Sequence, residues 1–246
     1  MKLKTILLII LILQLGITNS APAICLVTID IDYTFYKKYY QHSRELIHES
    51  IDKAFQTINN QMAPLIEIKV EKINLLNQYT RVTGGLENLL HHYQVHVSQV
   101  HRNETSIKNC LNMLIVHRPY ASLTAFGIAY LGLGSPLCGG ICSTYNSLRD
   151  KYLNLISINM ILYNPAILTR ITIHEVGHSL GAPHDCCANH ECDEYYNLET
   201  NCLNPKKPFV MNEFVTRSDN SLIFSPKSKQ TIEWIVPLQS NCLVES

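Results

Sequence analysis

Residues 169–185 read TRITIHEVGHSLGAPHD, and the rest of the chain is best understood as the frame around them. His174 and His178 are four residues apart, so on a helix they stand one above the other on one face, near enough to share a metal ion. Glu175, beside the first of them, can reach a metal-bound water without becoming a ligand, which is the placement a general base needs. Gly181 ends the helix, because glycine takes the left-handed conformation of a helix C-terminus at no Cβ cost. The chain then turns back and His184 supplies a third nitrogen. Three protein ligands leave one tetrahedral position for water, the mark of a catalytic rather than a closed structural zinc site, so one Zn2+ ion is the expected cofactor. The pattern His-Glu-x-x-His-x-x-Gly-x-x-His arises by chance in a chain of this length on the order of 1 time in 10⁵. The bland competitor is an amphipathic helix that happens to carry two surface histidines.

Upstream, strands and helices alternate. Asn164-Pro165 marks a turn, with Pro165 suited to the first turn of the active-site helix. ICLVTIDI at 24–31 reads as a first strand, and Ile47, Ile51, Phe55, Ile58 and Met62 carry helical spacing through 43–62, closed by Pro64. Ile66, Ile68 and Val70 alternate with charged residues as a half-buried strand does. Leu86, Leu89, Leu90, Tyr93, Val97 and Val100 form a second helical stripe over 86–101. Residues 111–116, 125–131 and 153–161 are three further strand candidates, and the glycines at 127, 132 and 134 suit close approach by another backbone. This order implies a single α/β domain with a largely parallel sheet. The second helix also carries His91, His92, His96 and His101; with no third ligand or glutamate beside them, a solvated helix face is expected. Beyond Asp185, Cys186, Cys187, Cys192 and Cys202 lie in a stretch without periodicity, an irregular loop tied by disulfides. Ser225-Pro226 is an N-cap and first-turn proline that opens a C-terminal helix.

The chain has 246 residues and a formal net charge of zero, which removes the basic field a nucleic-acid binder would need. Residues 1–23, with Lys2, Lys4 and an apolar run from Thr5 to Ile17, read as a secretory signal peptide cleaved after Ser20 or Ala23. The run is too short to span a membrane and no second one follows, so a secreted, extracellular protein without a membrane anchor is expected. All nine cysteines lie past this leader, in an oxidising compartment. An odd number leaves at least one thiol free or paired with another molecule, which allows a disulfide-linked dimer. Asn103-Glu104-Thr105 is an N-glycosylation sequon and places that bend on the surface.

HEVGHSLGAPHD resembles the metzincin zinc signature, and Asp185 directly after the third histidine is similar to the adamalysin (ADAM and reprolysin) branch. Met211 sits where that family has its Met-turn methionine. FGIAYLGLGSPLCGGIC at 126–142 and the terminal NCLVES resemble the edge strand, following loop and domain end of the kuzbanian-type ADAM sheddases. The resemblance covers residues 24–246 as one catalytic domain. It implies a twisted, mostly parallel sheet with one antiparallel edge strand, a long zinc-binding helix and a C-terminal helix. It also implies bridges Cys25–Cys110 and Cys142–Cys242. The family's third bridge uses a cysteine near the start of the last helix, where this chain has Pro226, so Cys138, Cys186, Cys187, Cys192 and Cys202 are left unassigned. Set against those relatives, no prodomain, disintegrin domain or transmembrane segment is expected beside this catalytic domain.

The function that follows is a secreted zinc endopeptidase acting on extracellular or cell-surface proteins. His174, His178 and His184 hold the metal and Glu175 serves as base and then acid. By resemblance, an extended substrate adds a strand along Gly127, Ile128, Ala129, Tyr130, Leu131 and Gly132, with a specificity pocket between Thr172 and the segment after Met211. The missing accessory domains give it the look of a venom or parasite effector. The competing class is a catalytically silent protein of the same fold, kept as a binder or decoy.

Overall fold

The β-branched run that opens the sheet alternates faces. In the computed structural model, which describes residues 21–77, 84–101, 109–118, 126–132, 139–145, 151–185, 209–211 and 222–245, this run is β1 (Ala23–Asp32). Val27, Ile29 and Ile31 belong to the larger core cluster. Thr28, Asp30 and Asp32 are buried as well, pointing the opposite way because side chains along a strand alternate. β1 pairs in parallel with β2 (Ile66–Leu76) and β3 (Leu111–Val116). β3 pairs in parallel with β7 (Leu155–Asn159), whose other side carries β4 (Gly127–Ala129) antiparallel. The order β2-β1-β3-β7-β4 is therefore a mostly parallel sheet with one antiparallel edge strand. β3 is buried at all six positions, as a central strand covered on both faces must be.

One face of the sheet is covered by α1 (Gln41–Met62) and the active-site helix α3 (Pro165–Ser179), which pack on each other. Ile47, Ile51, Ala54, Phe55 and Ile58 of α1 meet Ile173 and Val176 of α3 in the larger core. The other face carries α2 (Leu86–Val100), whose Leu89, Leu90, Tyr93 and Val97 pack with Leu114, Val116 and Leu155. Under α2 the even residues of β1 need polar partners: Asp30 accepts hydrogen bonds from Tyr93 Oη and Asn74 Nδ2, both at 2.8 Å. The C-terminal helix α4 (Pro226–Ile235) is followed by a 3₁₀ turn over Val236–Gln239. Disulfides join Cys25 to Cys110 and Cys142 to Cys242.

Several elements depart from their sequence-based outlines. The strands expected over 125–131 and 153–161 are shorter, Gly127–Ala129 and Leu155–Asn159, because each is paired only over that length. Pairing between Thr144–Tyr145 (β5) and Lys151–Tyr152 (β6) forms a small second sheet with no periodic signal of its own. The histidines of α2 are not uniformly solvated: His91 and His92 are exposed, whereas His96 and His101 line a cleft of about 660 Å³ with Asp30, Glu71 and Asn112. Burial lowers the pKa of His96, with Asp30 opposing the shift and His101 adding to it. Residues 1–20 of the expected leader, the sequon at Asn103 and Cys138, Cys186, Cys187, Cys192 and Cys202 lie outside the described residues, whereas Ala23, the last residue of that leader, opens β1 opposite Ile66.

Candidate metal centre and active site

α3 begins where the sequence supplies its own cap: the Asn164 side chain accepts from Ala166 N at 2.9 Å and Ile167 N at 3.2 Å, with Pro165 following. Nearly every residue from Leu168 to Gly177 is buried, so the helix runs through the protein rather than over it. It stops at Ser179, and Gly181 takes φ of +103°. A Cβ on Gly181 would lie 2.6 Å from Gly132 O and 2.8 Å from Ile235, so both conformation and space require glycine.

The reversal at Gly181 brings His184 back to the helix. The three Nε2 atoms form a nearly equilateral triangle: 3.1 Å from His174 to His178, 3.0 Å from His178 to His184 and 3.1 Å from His174 to His184. His174 Nδ1 lies 2.7 Å from Val210 O and His178 Nδ1 lies 2.8 Å from Ala182 O. A carbonyl only accepts, so each Nδ1 carries the proton and each Nε2 turns a lone pair toward the centre. Lone pairs this close repel one another unless a cation stands among them. Tetrahedral zinc with metal–nitrogen bonds of about 2.0–2.1 Å needs nitrogens roughly 3.3–3.4 Å apart, so the cluster fits that ion with a few tenths of an ångström of adjustment.

Glu175 is 5% exposed, and burial alone raises its carboxyl pKa to about 8. Its carboxylate lies against β4: a Cβ on Gly127 would stand 2.6 Å from Glu175 Cδ, so glycine there leaves the acid its room. β4 itself pairs with β7 through Gly127, Ile128 and Ala129. Tyr130 N still bonds Leu155 O at 3.3 Å, but Gly132 N has crossed to His178 O at 2.9 Å. Leu131 lies between these two contacts. The expected edge stretch is thus a three-residue ladder with a tail that docks on the ligand helix.

Beneath α3, Met211 is fully buried, and a Cβ on Gly177 would fall 2.6 Å from its sulfur. The Val210–Met211 turn carries the acceptor for His174, and Met211 O accepts from Asp185 N at 3.1 Å. Asp185 Oδ1 accepts from Ser225 Oγ at 2.5 Å and Ser228 Oγ at 3.0 Å, so the residue after the third histidine is tied to the start of α4. Ser225 also caps that helix, accepting from Ser228 N at 3.0 Å. Sequence reasoning missed this double use of Ser225 and the involvement of Ser228; the N-cap pattern was the one available signal. Thr172, on the expected specificity pocket, is fully buried, and the segment after Met211 lies outside the described residues.

A helix bearing two histidines four apart, a third brought in by a glycine turn, a buried carboxyl beside them and an antiparallel edge strand define the class: a metallopeptidase of metzincin type. Residues 21–225 match Metallo-peptidase family M12, in its reprolysin group, and the chain belongs to that family. It is similar to disintegrin and metalloproteinase domain-containing protein 10 of Xenopus laevis, 27% identical over 249 residues, covering 90% of this chain and 31% of that protein. The human protein of the same name is 27% identical over 256 residues, covering 93% of this chain and 32% of its own length. The mouse protein is 27% identical over 249 residues, with 90% and 31% covered. The chain thus spans about a third of the length of these curated relatives. Members of the M12 family use zinc. The two disulfides fit an extracellular protein, and among the described residues no helix is long and apolar enough to cross a membrane.

Proposed function

We propose that the protein is a secreted zinc endopeptidase that hydrolyses peptide bonds of extracellular or cell-surface polypeptides. The observation that carries this reading is the convergence of three Nε2 atoms within 3.1 Å of one another, two of them fixed as lone-pair donors by backbone carbonyls. His174, His178 and His184 would hold the ion. A bound zinc ion supplies Lewis acidity toward a carbonyl oxygen and toward water. Glu175 does the proton work: its carboxylate takes a proton from the attacking water and its carboxylic acid returns that proton to the departing amine nitrogen. The buried setting keeps bulk water from competing for this proton. The free side of β4, continuing through Tyr130 and Leu131 to Gly132, would accept an extended substrate as an added strand, placing the scissile bond beside Glu175.

Export through a leader at residues 1–23 and glycosylation at Asn103 belong to the same proposal, resting on sequence motifs. The central test is Glu175→Ala. It should lower peptide cleavage by roughly 10²- to 10⁴-fold while one zinc per chain is retained, and a chelator should inhibit the parent. A variant that still cleaves, together with a parent indifferent to chelation, refutes the mechanism.

A further inference from the structure

The edge strand leaves the sheet at Gly132 and the chain returns at Gly139; both ends meet at the C-terminus of α3. His178 O accepts from Gly132 N, and Ser179 O accepts from Ile141 N, each at 2.9 Å, so these two crossings satisfy carbonyls the helix end would otherwise leave open. The crossing is so close that glycine is required on both strands of it. A Cβ on Gly132 would lie 2.6 Å from Ser179 O, and one on Gly140 would lie 2.8 Å from the same atom. Gly140 also has φ of +95°.

One side chain from the far end of the protein reaches this junction. Gln239, in the 3₁₀ turn after α4, is 7% exposed. Its Nε2 donates to Gly139 O at 2.8 Å and to Ser143 Oγ at 3.2 Å, and Ser143 Oγ in turn donates to Gly139 O at 2.7 Å. The carbonyl of Gly139 fixes the amide's orientation, because a flipped amide would set oxygen against oxygen. Oε1 is consequently turned toward the backbones of Gly132 and Gly140, within 2.8 and 2.9 Å of their Cβ positions, and has no hydrogen-bond partner among the described residues. A buried amide oxygen left without a partner is unfavourable, and a nonpolar side chain of similar length would avoid that cost. Three residues on, the Cys142–Cys242 bridge ties the same two segments, so anchorage alone does not call for an amide here.

We propose that Gln239 is a positioning residue for substrate. By holding Gly139 it fixes the path on which Gly132 leaves the edge strand, and so keeps ordered the edge to which an extended peptide pairs. This rests on the reading of β4 as the substrate strand. The loss should appear in KM: Gln239→Leu keeps the volume and removes the amide, raising KM for a peptide spanning the site roughly three- to tenfold. Its kcat and zinc content should match the parent's. Amide hydrogen exchange at Ile128–Gly132 should quicken in the same variant. Gln239→Glu places an acceptor against Gly139 O and should raise KM further at pH 8, with recovery toward the Gln value at pH 5.5, where the protonated acid can donate.

Unchanged KM and unchanged exchange in folded, zinc-loaded Gln239→Leu would overturn the proposal. A fall in kcat at constant KM would do the same. If Gln239→Leu does not fold, Ser143→Ala, which removes only the hydroxyl from the same carbonyl, must show a smaller rise in KM, and no rise overturns the proposal. A parent that binds zinc and cleaves no peptide would instead count against the endopeptidase reading, while the exchange measurement would still judge the role of Gln239 in holding the strand.

Discussion

Two helices among the described residues carry histidines four residues apart, and only one of these pairs gathers a third histidine around it. On α2, His92 is exposed and His96 turns half-buried toward Asp30 and His101 in a cleft. On α3, His174 and His178 face a third ring, and each has its outer nitrogen on a backbone carbonyl. Spacing is therefore the lesser part of a metal centre. What α3 has and α2 lacks is a glycine reversal that returns the chain to the helix with a third histidine, and a carboxyl in the position after the first ligand.

The largest test of this contrast is a pair of alanine substitutions. His178→Ala should remove tight zinc binding and cleavage together, whereas His92→Ala should leave zinc content and turnover at parental values. Metal analysis after dialysis and a peptide assay check both, and zinc loss in the His92 variant would break the comparison. A smaller effect concerns how the two helices start. α3 is capped by the Asn164 side chain, while α2 starts at Gly85 with no side-chain cap and open space around its Cα. Asn164→Ala should cost about 1 kcal/mol and Gly85→Ser should gain a few tenths of a kcal/mol, on the order found for helix caps. Urea unfolding at fixed zinc concentration measures both. The smallest effect is on protonation of His96. Its native pKa lies below 6.5, chiefly through burial, so the unfolded chain takes up a proton first as pH falls. The stability from this group is complete above the unfolded value and is lost as pH drops from there toward the native one. An imidazole titration by NMR should place His96 below 6.5, and a value above it would refute the buried assignment.

The outlines of β1, α1 and α2 could be read from periodicity because each follows the burial of its own residues; Val27, Ile29 and Ile31 alternate, and the stripe of α2 repeats every three or four residues, whereas β3 shows only as an unbroken apolar run and α3 by its histidine spacing between Pro165 and Gly181. The ends of β4 and β7 could not, since a strand extends only as far as its neighbour pairs with it. The same division holds within the site. Histidine spacing and the glycine reversal are local. The acceptor for His174 comes from 36 residues away, and the serine that donates to Asp185 at 2.5 Å comes from 40 residues away, distances over which single-sequence patterns are silent. His96 illustrates the opposite failure: a polar face on a helix reads as solvated, and only the buried carboxylate of Asp30 on the neighbouring strand reveals that it is half enclosed.

The turn at Val210–Met211 offers its contacts to His174 and Asp185 through main-chain oxygens. No change of side chain can delete either acceptor, so inheritance at these positions is filtered by shape rather than by chemistry: any residue that keeps the turn keeps the ring aligned. An engineer who wishes to loosen the metal without touching a histidine should therefore alter the path of this turn, by an insertion or deletion, and leave its letters alone.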